Sequence, residues 1–194
     1  MQRSLSALIA LALLFSTVGW SADFQKGLEA YVKGDYRTAL REWRPLAEQG
    51  HASAQYSLGA AYYNGEGVPQ NYETAVKWFR RAAERGNAEA QNRLGLMYRD
   101  GHGIPQDDVY AHMWLNLSAS QAPGPNLKKL DTLDPLLRKW DLEIRDLGAK
   151  QRDIAVEARD RIAKEMTPFQ IAKAQELARE CVKKKYKGCG RPKR

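Results

Sequence analysis

The chain has 194 residues, enough for one domain or for a small domain with an appendage. Its formal net charge is +8, but Arg3 and the last twelve residues account for all of it, so residues 4–182 are neutral overall. Beyond the N-terminus, no apolar run comes near the roughly 20 residues that a membrane-spanning helix needs, which argues against an integral membrane protein.

The first 22 residues have the layout of a secretory signal peptide. Arg3 supplies the charge, residues 5–15 supply the apolar core, and small residues surround a cleavage site that we place after Ser21 or Ala22. The sequence therefore predicts a periplasmic or secreted protein with no transmembrane segment after cleavage. The alternative is a retained membrane anchor. An exported chain without a recognition element is also a poor candidate for nucleic-acid binding.

Residues 23–50 predict a short helical hairpin. Apolar residues recur at helical spacing in two runs, and Gly34 and Asp35 separate the runs. Asp35 is expected to cap the second helix. Pro45 falls inside the second run, where it removes a backbone hydrogen bond and can kink the helix.

Residues 51–86 and 87–122 are two copies of one unit. They align without a gap at an offset of 36 residues, and thirteen positions are identical. A repeat with a period between about 20 and 50 residues indicates a solenoid, in which each unit buries its apolar face against its neighbours.

Each copy predicts two helices joined by a glycine-rich loop. In the first copy, one helix runs from about residue 52 to residue 63, and Asn71 caps the next. Gly59 and its counterpart Gly95 fall in mid-helix, where glycine costs about 1 kcal/mol relative to alanine. We therefore expect the paired helices to approach closely at these two positions.

The repeat carries the motif A-x-A-Q-x-x-L-G-x-x-Y-x-x-G-x-G-x-P-Q followed by A-x-x-W-x-x-x-A-A. It occurs at residues 52–83 and again at 88–119, where Ser118 replaces one alanine. These residues resemble the Sel1-like repeat, a subfamily of the tetratricopeptide superfamily. The resemblance implies an all-α fold, a right-handed α/α solenoid of helical hairpins over residues 23–122, that binds partner proteins. It favours a non-catalytic scaffold for protein–protein interaction in the cell envelope.

Residues 123–182 predict helices that cap the array. Pro-Gly-Pro at 123–125 ends the repeats, and a helix over about 135–147 follows, whose orientation the sequence leaves open. The next helix is predicted over 149–166. Its predicted buried face, spaced by four residues, consists of Ile154, Ala158 and Ile162.

The last helix begins at a capping box formed by Thr167 and Gln170 and leads to the only two cysteines. In an oxidising compartment we predict that Cys181 pairs with Cys189 and pins the intervening basic loop to the helix end. Inter-chain pairing and free thiols are the alternatives. The two cysteines lack a matching histidine and are no metal signature. Residues 166–189 also resemble the C-terminal segment of exported bacterial Sel1-repeat proteins.

The sequence offers no catalytic constellation. His51, His102 and His112 are not spaced four residues apart, and no carboxylate–histidine pair stands out. The patterns S-x-x-K, S-D-N, K-T-G and G-x-S-x-G and the P-loop are absent. We therefore expect no catalytic residue, no cofactor and no metal. An alternative, carried over from disulfide-rich Sel1-like relatives, is a β-lactamase-like or penicillin-binding activity.

A protein or peptide partner is expected in the groove of the superhelix. Tyr63 and Arg99 occupy one repeat position but differ between the copies, so both are candidates for a partner-facing surface, with Tyr31 as a third. A second hypothesis is an adaptor that contacts an anionic envelope surface through its basic tail, residues 183–194. The cations of the tail are Lys183, Lys184, Lys185, Lys187, Arg191, Lys193 and Arg194.

Overall fold

The computed structural model describes residues 22–121, 149–150 and 152–189, and the regular elements in these ranges are helices. Up to residue 121 the helices are α1 (Phe24–Val32), α2 (Tyr36–Glu48), α3 (Ala52–Asn64), α4 (Tyr72–Ala83), α5 (Ala88–Asp100) and α6 (Asp108–Ser120). In the C-terminal part, α7 is helical at residues 149–150 and 152–163, and α8 spans Pro168–Lys183.

Several sequence predictions lie outside the described residues. They are the signal peptide up to Ser21, the Pro-Gly-Pro at 123–125, the helix over about 135–147, and the tail residues Arg191, Lys193 and Arg194.

The first six helices form three hairpins that stack in chain order. The hairpins are α1 with α2, α3 with α4, and α5 with α6, and the contacts of α2 with α3 and of α4 with α5 join one hairpin to the next. Beyond the last hairpin, α8 packs against α6. The all-helical solenoid predicted from the repeat is therefore confirmed.

The helices begin where the sequence predicts. The side chains of Asp35, Asn71 and Thr167 each accept a hydrogen bond from the backbone amide three residues later, which satisfies an otherwise unpaired donor of the first turn. Gln170 completes the predicted capping box, since its Oε1 accepts from the Thr167 amide at 2.8 Å. Pro45 does not break α2, which runs through it to its C-terminal end.

The paired helices approach closely at the two predicted glycines. A Cβ atom added to Gly59 would lie 2.6 Å from Cδ1 of Phe79 on α4, and one added to Gly95 would lie 2.8 Å from Cγ of Leu115 on α6. Real side chains do not approach so closely, so these positions require glycine for packing. The cost in helix propensity is thus offset by contact between the helices of a hairpin.

The glycine-rich loop of each repeat rests on the first turn of the preceding second helix. Gly67 and Gly103 both have positive φ, 71° and 68°. A Cβ on Gly67 would lie 2.7 Å from Cβ of Tyr36, and one on Gly103 would lie 2.6 Å from the backbone nitrogen of Glu73. The loops therefore link one hairpin to the next.

The C-terminal helices extend the apolar core of the repeats. Within one cluster, the buried residues of α4, α5 and α6 continue into Ala155, Ala158 and Ile162 of α7 and into α8. The predicted buried face of α7 was wrong at one position, because Ile154 is 52% exposed and Ala155 is buried in its place. A small residue here lets α7 lie close to the repeats. On α8 the buried residues are Ala174, Ala178 and Cys181.

Candidate functional site

Tyr63 lies at the C-terminal end of α3 in a cluster of rings and cations. Its ring is half-buried, with its centroid 5.1 Å from that of Tyr72 and 6.5 Å from that of His102. The guanidinium carbon of Arg93 lies 6.0 Å from the centre of the Tyr63 ring. His102 and Tyr72 stack on each other at 5.0 Å with only 10° between their planes.

Arg99, at the equivalent end of α5, is engaged by its neighbour in sequence. Its Nε and Nη2 donate to the carboxylate of Asp100 at 2.6 and 2.8 Å. This bidentate pair raises the pKa of Arg99 and lowers the pKa of Asp100. The Arg99 side chain is half-exposed, so the pair is held at the surface.

Tyr31 links the first hairpin to the next loop. Its hydroxyl donates to Glu66 at 2.9 Å, and its ring lies 5.6 Å from that of Trp43. Burial and the hydrogen bond to Glu66 raise the pKa of Tyr31 to about 12. Tyr31 is therefore part of the packing between units, and no ring contact joins it to Tyr63.

The ring cluster was only partly visible in the sequence. Tyr63 was selected because it and Arg99 occupy the same repeat position with different side chains. Its neighbours Tyr72, His102 and Arg93 come from three different elements, so the repeat alignment did not reveal them together. The available signal was that Tyr72 and His102 also differ from their repeat counterparts. Their stacking depends on how the second glycine-rich loop folds over the start of α4.

The first helices of the repeats keep apolar side chains partly exposed. Tyr56, Ala60 and Tyr63 on α3 and Leu96 on α5 pack against the core without being buried. The second helices bury several of their large apolar side chains completely, such as Phe79, Met113, Trp114, Leu115 and Leu117. They also keep some partly exposed, namely Tyr72 and Trp78 on α4 and Val109 and Tyr110 on α6. Both helices of each repeat therefore contribute to its partly exposed apolar surface.

The two cysteines are joined in one chain. Cys181 and Cys189 form a disulfide bond, which is the intrachain pairing among the alternatives that the sequence left open. The loop between them includes Lys185 and Tyr186, both with positive φ, and the Tyr186 ring lies over Gly86 in the turn after α4. The side chains of Lys183, Lys184, Lys185 and Lys187 are exposed.

The histidines take separate structural positions. His51 caps α3, because its Nδ1 accepts from the Ala54 amide at 3.2 Å. His112 is buried on α6, and burial followed by the positive charge of Arg159 lowers its pKa. Among the residues that the structure describes, no three His, Cys, Asp or Glu side chains gather as a metal site. None of the described helices is long and apolar enough to cross a membrane.

Solved structures similar to this chain include the following two. One is a protective antigen present in uropathogenic Escherichia coli strains that displays an SLR fold, with a TM-score of 0.62, 24% identity, and coverage of 82% of this chain. This chain spans 30% of the antigen's length. The other is a Sel1 repeat protein from Oxalobacter formigenes, with a TM-score of 0.51, 24% identity, and coverage of 84% of this chain and 78% of the relative. At this identity the likeness shows the fold alone.

The family comparison agrees with the hairpin boundaries. No curated protein matches the sequence significantly. The model of the Sel1 repeat matches residues 52–87 and 88–123, which begin at α3 and at α5. The chain therefore carries two consecutive Sel1 repeats within an all-helical solenoid.

Proposed function

We propose that this protein is an exported, non-catalytic scaffold that binds a protein or peptide partner along the first helices of its Sel1 repeats. The observation that carries the proposal is that the first helices keep apolar side chains partly exposed at equivalent positions of the two repeats. Ala60 and Leu96 occupy the same repeat position, and Tyr56 and Tyr63 on α3 are partly exposed as well. Partly exposed apolar and aromatic side chains on a rigid support are typical of protein-binding surfaces.

The ends of these helices add polar contacts to that surface. Tyr63 is held by Tyr72 and Arg93, and Arg99 is held by Asp100, so their orientations are set before a partner arrives. Preorganised side chains lose less conformational entropy on binding. The disulfide between Cys181 and Cys189 supports export, because such bonds persist in oxidising compartments.

The test of the surface is capture of partners from envelope extract. The protein carrying Tyr63→Ala and Arg99→Ala is compared with a control carrying Glu73→Ala and Lys77→Ala, two exposed positions on α4. We expect the first variant to lose partners that the control retains, with both variants unchanged in circular dichroism. Equal capture by the two variants would contradict the proposed surface.

Export and the absence of catalysis have separate tests. Mass spectrometry of protein released from the periplasm should find a mature chain beginning at Ala22 or Asp23, and a chain that keeps Met1 would contradict cleavage. A chromogenic β-lactam assay on the purified protein should show no turnover.

A second candidate function, contact with an anionic envelope surface, rests on the lysines near the disulfide. Lys183, Lys185 and Lys187 are exposed and lie close together in sequence. Replacing these three by glutamine should weaken binding to anionic vesicles if this contact operates. The measurement is made at low salt, because salt screens exposed charges. Unchanged vesicle binding would exclude this function.

A further inference from the structure

A cleft of about 460 Å³ opens where the ends of three repeat-region helices meet the C-terminal loop. Its volume lies in the range of about 300–1,000 Å³ that is usual for small-ligand sites. Ala47 and Glu48 come from the end of α2, Gln55 from the start of α3, and Arg81 from the end of α4, with the loop closing one side. The remaining lining residues are Glu84, Arg85 and Lys187.

Three cationic side chains of the cleft are without an acidic partner among the residues that the structure describes. Arg81, Arg85 and Lys187 form no ion pair with another residue in the described ranges. The Arg81 guanidinium carbon lies 4.8 Å from the centre of the Trp78 ring, and the Arg85 guanidinium rests on Gly50. A guanidinium held over an aromatic ring, as Arg81 is, keeps N–H donors available for a ligand.

Gln55 contributes an unsatisfied acceptor to the same wall. Gln55 is 3% exposed, and its Oε1 accepts no hydrogen bond from any residue in the described part of the chain. In the next repeat the equivalent Gln91 accepts from Nε2 of Gln121 at 2.9 Å. The position equivalent to Gln121 is occupied by Arg85, which lies on Gly50 instead. Oε1 of Gln55 therefore lacks the donor that Gln121 supplies to the equivalent Gln91.

The charges of the cleft define the ligand that would complement it. Arg81, Arg85 and Lys187 outnumber Glu48 and Glu84, so an anionic group is attracted and a purely cationic ligand is repelled. A bare anion would leave Oε1 of Gln55 without a donor. A peptide carboxylate is different, because backbone N–H groups lie beside it.

We propose that this cleft binds a peptide carboxylate. Arg85 and Lys187 pair with the carboxylate, while Gln55 and Glu48 accept hydrogen bonds from backbone amides of the peptide. The site goes beyond the proposed surface on the first helices and does not depend on it. Gln55 and Tyr63 lie eight residues apart on α3, which separates them by about 12 Å along the helix.

The disulfide positions one of the cations. Lys187 lies between Cys181 and Cys189, in a loop whose Tyr186 ring covers Gly86. Reduction would free this loop from its covalent restraint. We therefore expect the affinity for the peptide to fall when the disulfide is reduced.

The binding test uses a fluorescein-labelled peptide, Gly-Ala-Glu-Glu with a free C-terminus, on the mature oxidised protein. Fluorescence anisotropy at low salt should show saturable binding, and the amidated peptide with glutamine in place of both glutamates should not bind. Loss of affinity on amidation alone identifies the C-terminal carboxylate, and loss on glutamine replacement alone identifies a side-chain carboxylate. Absence of saturable binding by every carboxylate peptide would overturn the proposal.

Variants separate the cleft from general charge attraction. Arg85→Gln and Lys187→Gln should each weaken the acidic peptide about tenfold, the typical effect of losing one charge-assisted hydrogen bond. Lys77→Gln, at an exposed position on α4, removes the same charge and should leave affinity within about twofold. Equal weakening by Lys77→Gln would overturn the site. The variant carrying Tyr63→Ala and Arg99→Ala should still bind the peptide. The test of the cleft is then independent of the test of the partner-binding surface on α3 and α5.

Discussion

Gly59 of α3 and Phe79 of α4 lie so close that a Cβ on the glycine would come within 2.6 Å of the ring. Alanine at an exposed helical position would be favoured over glycine by about 1 kcal/mol. Here the added methyl group must displace a completely buried ring. We expect Gly59→Ala to lower the free energy of unfolding by about 1–3 kcal/mol in urea denaturation.

The control for Gly59→Ala is Ser57→Ala on the same helix. Ser57 is half-buried, and its side chain forms no hydrogen bond within the described residues that the substitution would break, so its effect should stay within about 0.5 kcal/mol. A stability gain in Gly59→Ala would contradict the close approach of α3 and α4.

The contact of Gly103 with α4 predicts an unequal cost for two similar substitutions. Gly103 and Gly34 both have positive φ, 68° and 78°, so alanine at either position is strained by about 1–2 kcal/mol. A Cβ on Gly103 would also lie 2.6 Å from the Glu73 nitrogen, whereas Gly34 has nothing within 4 Å. Because backbone cannot move aside cheaply, Gly103→Ala should cost at least about 1 kcal/mol more than Gly34→Ala. Equal unfolding midpoints in paired denaturation curves would refute this.

Burial of His112 predicts a loss of stability in acid. Burial, then the charge of Arg159, lowers the pKa of His112 below its ordinary value of 6.5. The stability linked to this residue is therefore complete above pH 6.5 and is lost as pH falls through the folded pKa. His112→Val should reduce this dependence, because the equivalent Val76 is also buried. The measurement is the thermal unfolding midpoint of the wild-type protein and of His112→Val as the pH falls below 6.5. Parallel curves for the two proteins would exclude His112 as the cause of the acid destabilisation.

Reduction of the disulfide should loosen the turn between the two repeats. Closing so short a loop stabilises a protein by about 2–3 kcal/mol in the chain-entropy model. Since Tyr186 covers Gly86, its release should also raise hydrogen exchange at the amides of residues 84–87. A variant with Cys181→Ala and Cys189→Ala should not respond to reductant. Unchanged exchange in the reduced wild-type protein would show that the loop holds without its covalent bond.

Much of the fold could be predicted because the chain contains two copies of one unit, so each position can be compared with its equivalent. Gly59 and Gly95 are unfavourable for a helix, and their recurrence indicated a packing reason that the structure confirms. Asp35 and Asn71 were recognised as caps because short polar side chains can reach the amide three residues on. These are local relationships, which the sequence displays directly.

The contacts between distant parts of the chain could not be predicted in the same way. Ile154 fitted a helical spacing of four, but close packing of α7 favours the smaller Ala155 on the buried side. Lys185 and Tyr186 adopt left-handed backbone, which non-glycine residues rarely do, so no local signal marks their turn. The cleft could not be predicted from the sequence, since Arg85 and Lys187 line it together only when the C-terminal loop lies beside the repeats.

The contact of Tyr186 with Gly86 bears on how long this array can be. At the preceding boundary, Gly50 is covered by Arg85, a side chain from within the repeats. At Gly86 that role passes to the C-terminal loop. A third unit placed after α6 would bring a side chain of its own toward the same glycine. Lengthening the array would therefore require Tyr186 to leave Gly86 or to share that position with the added unit.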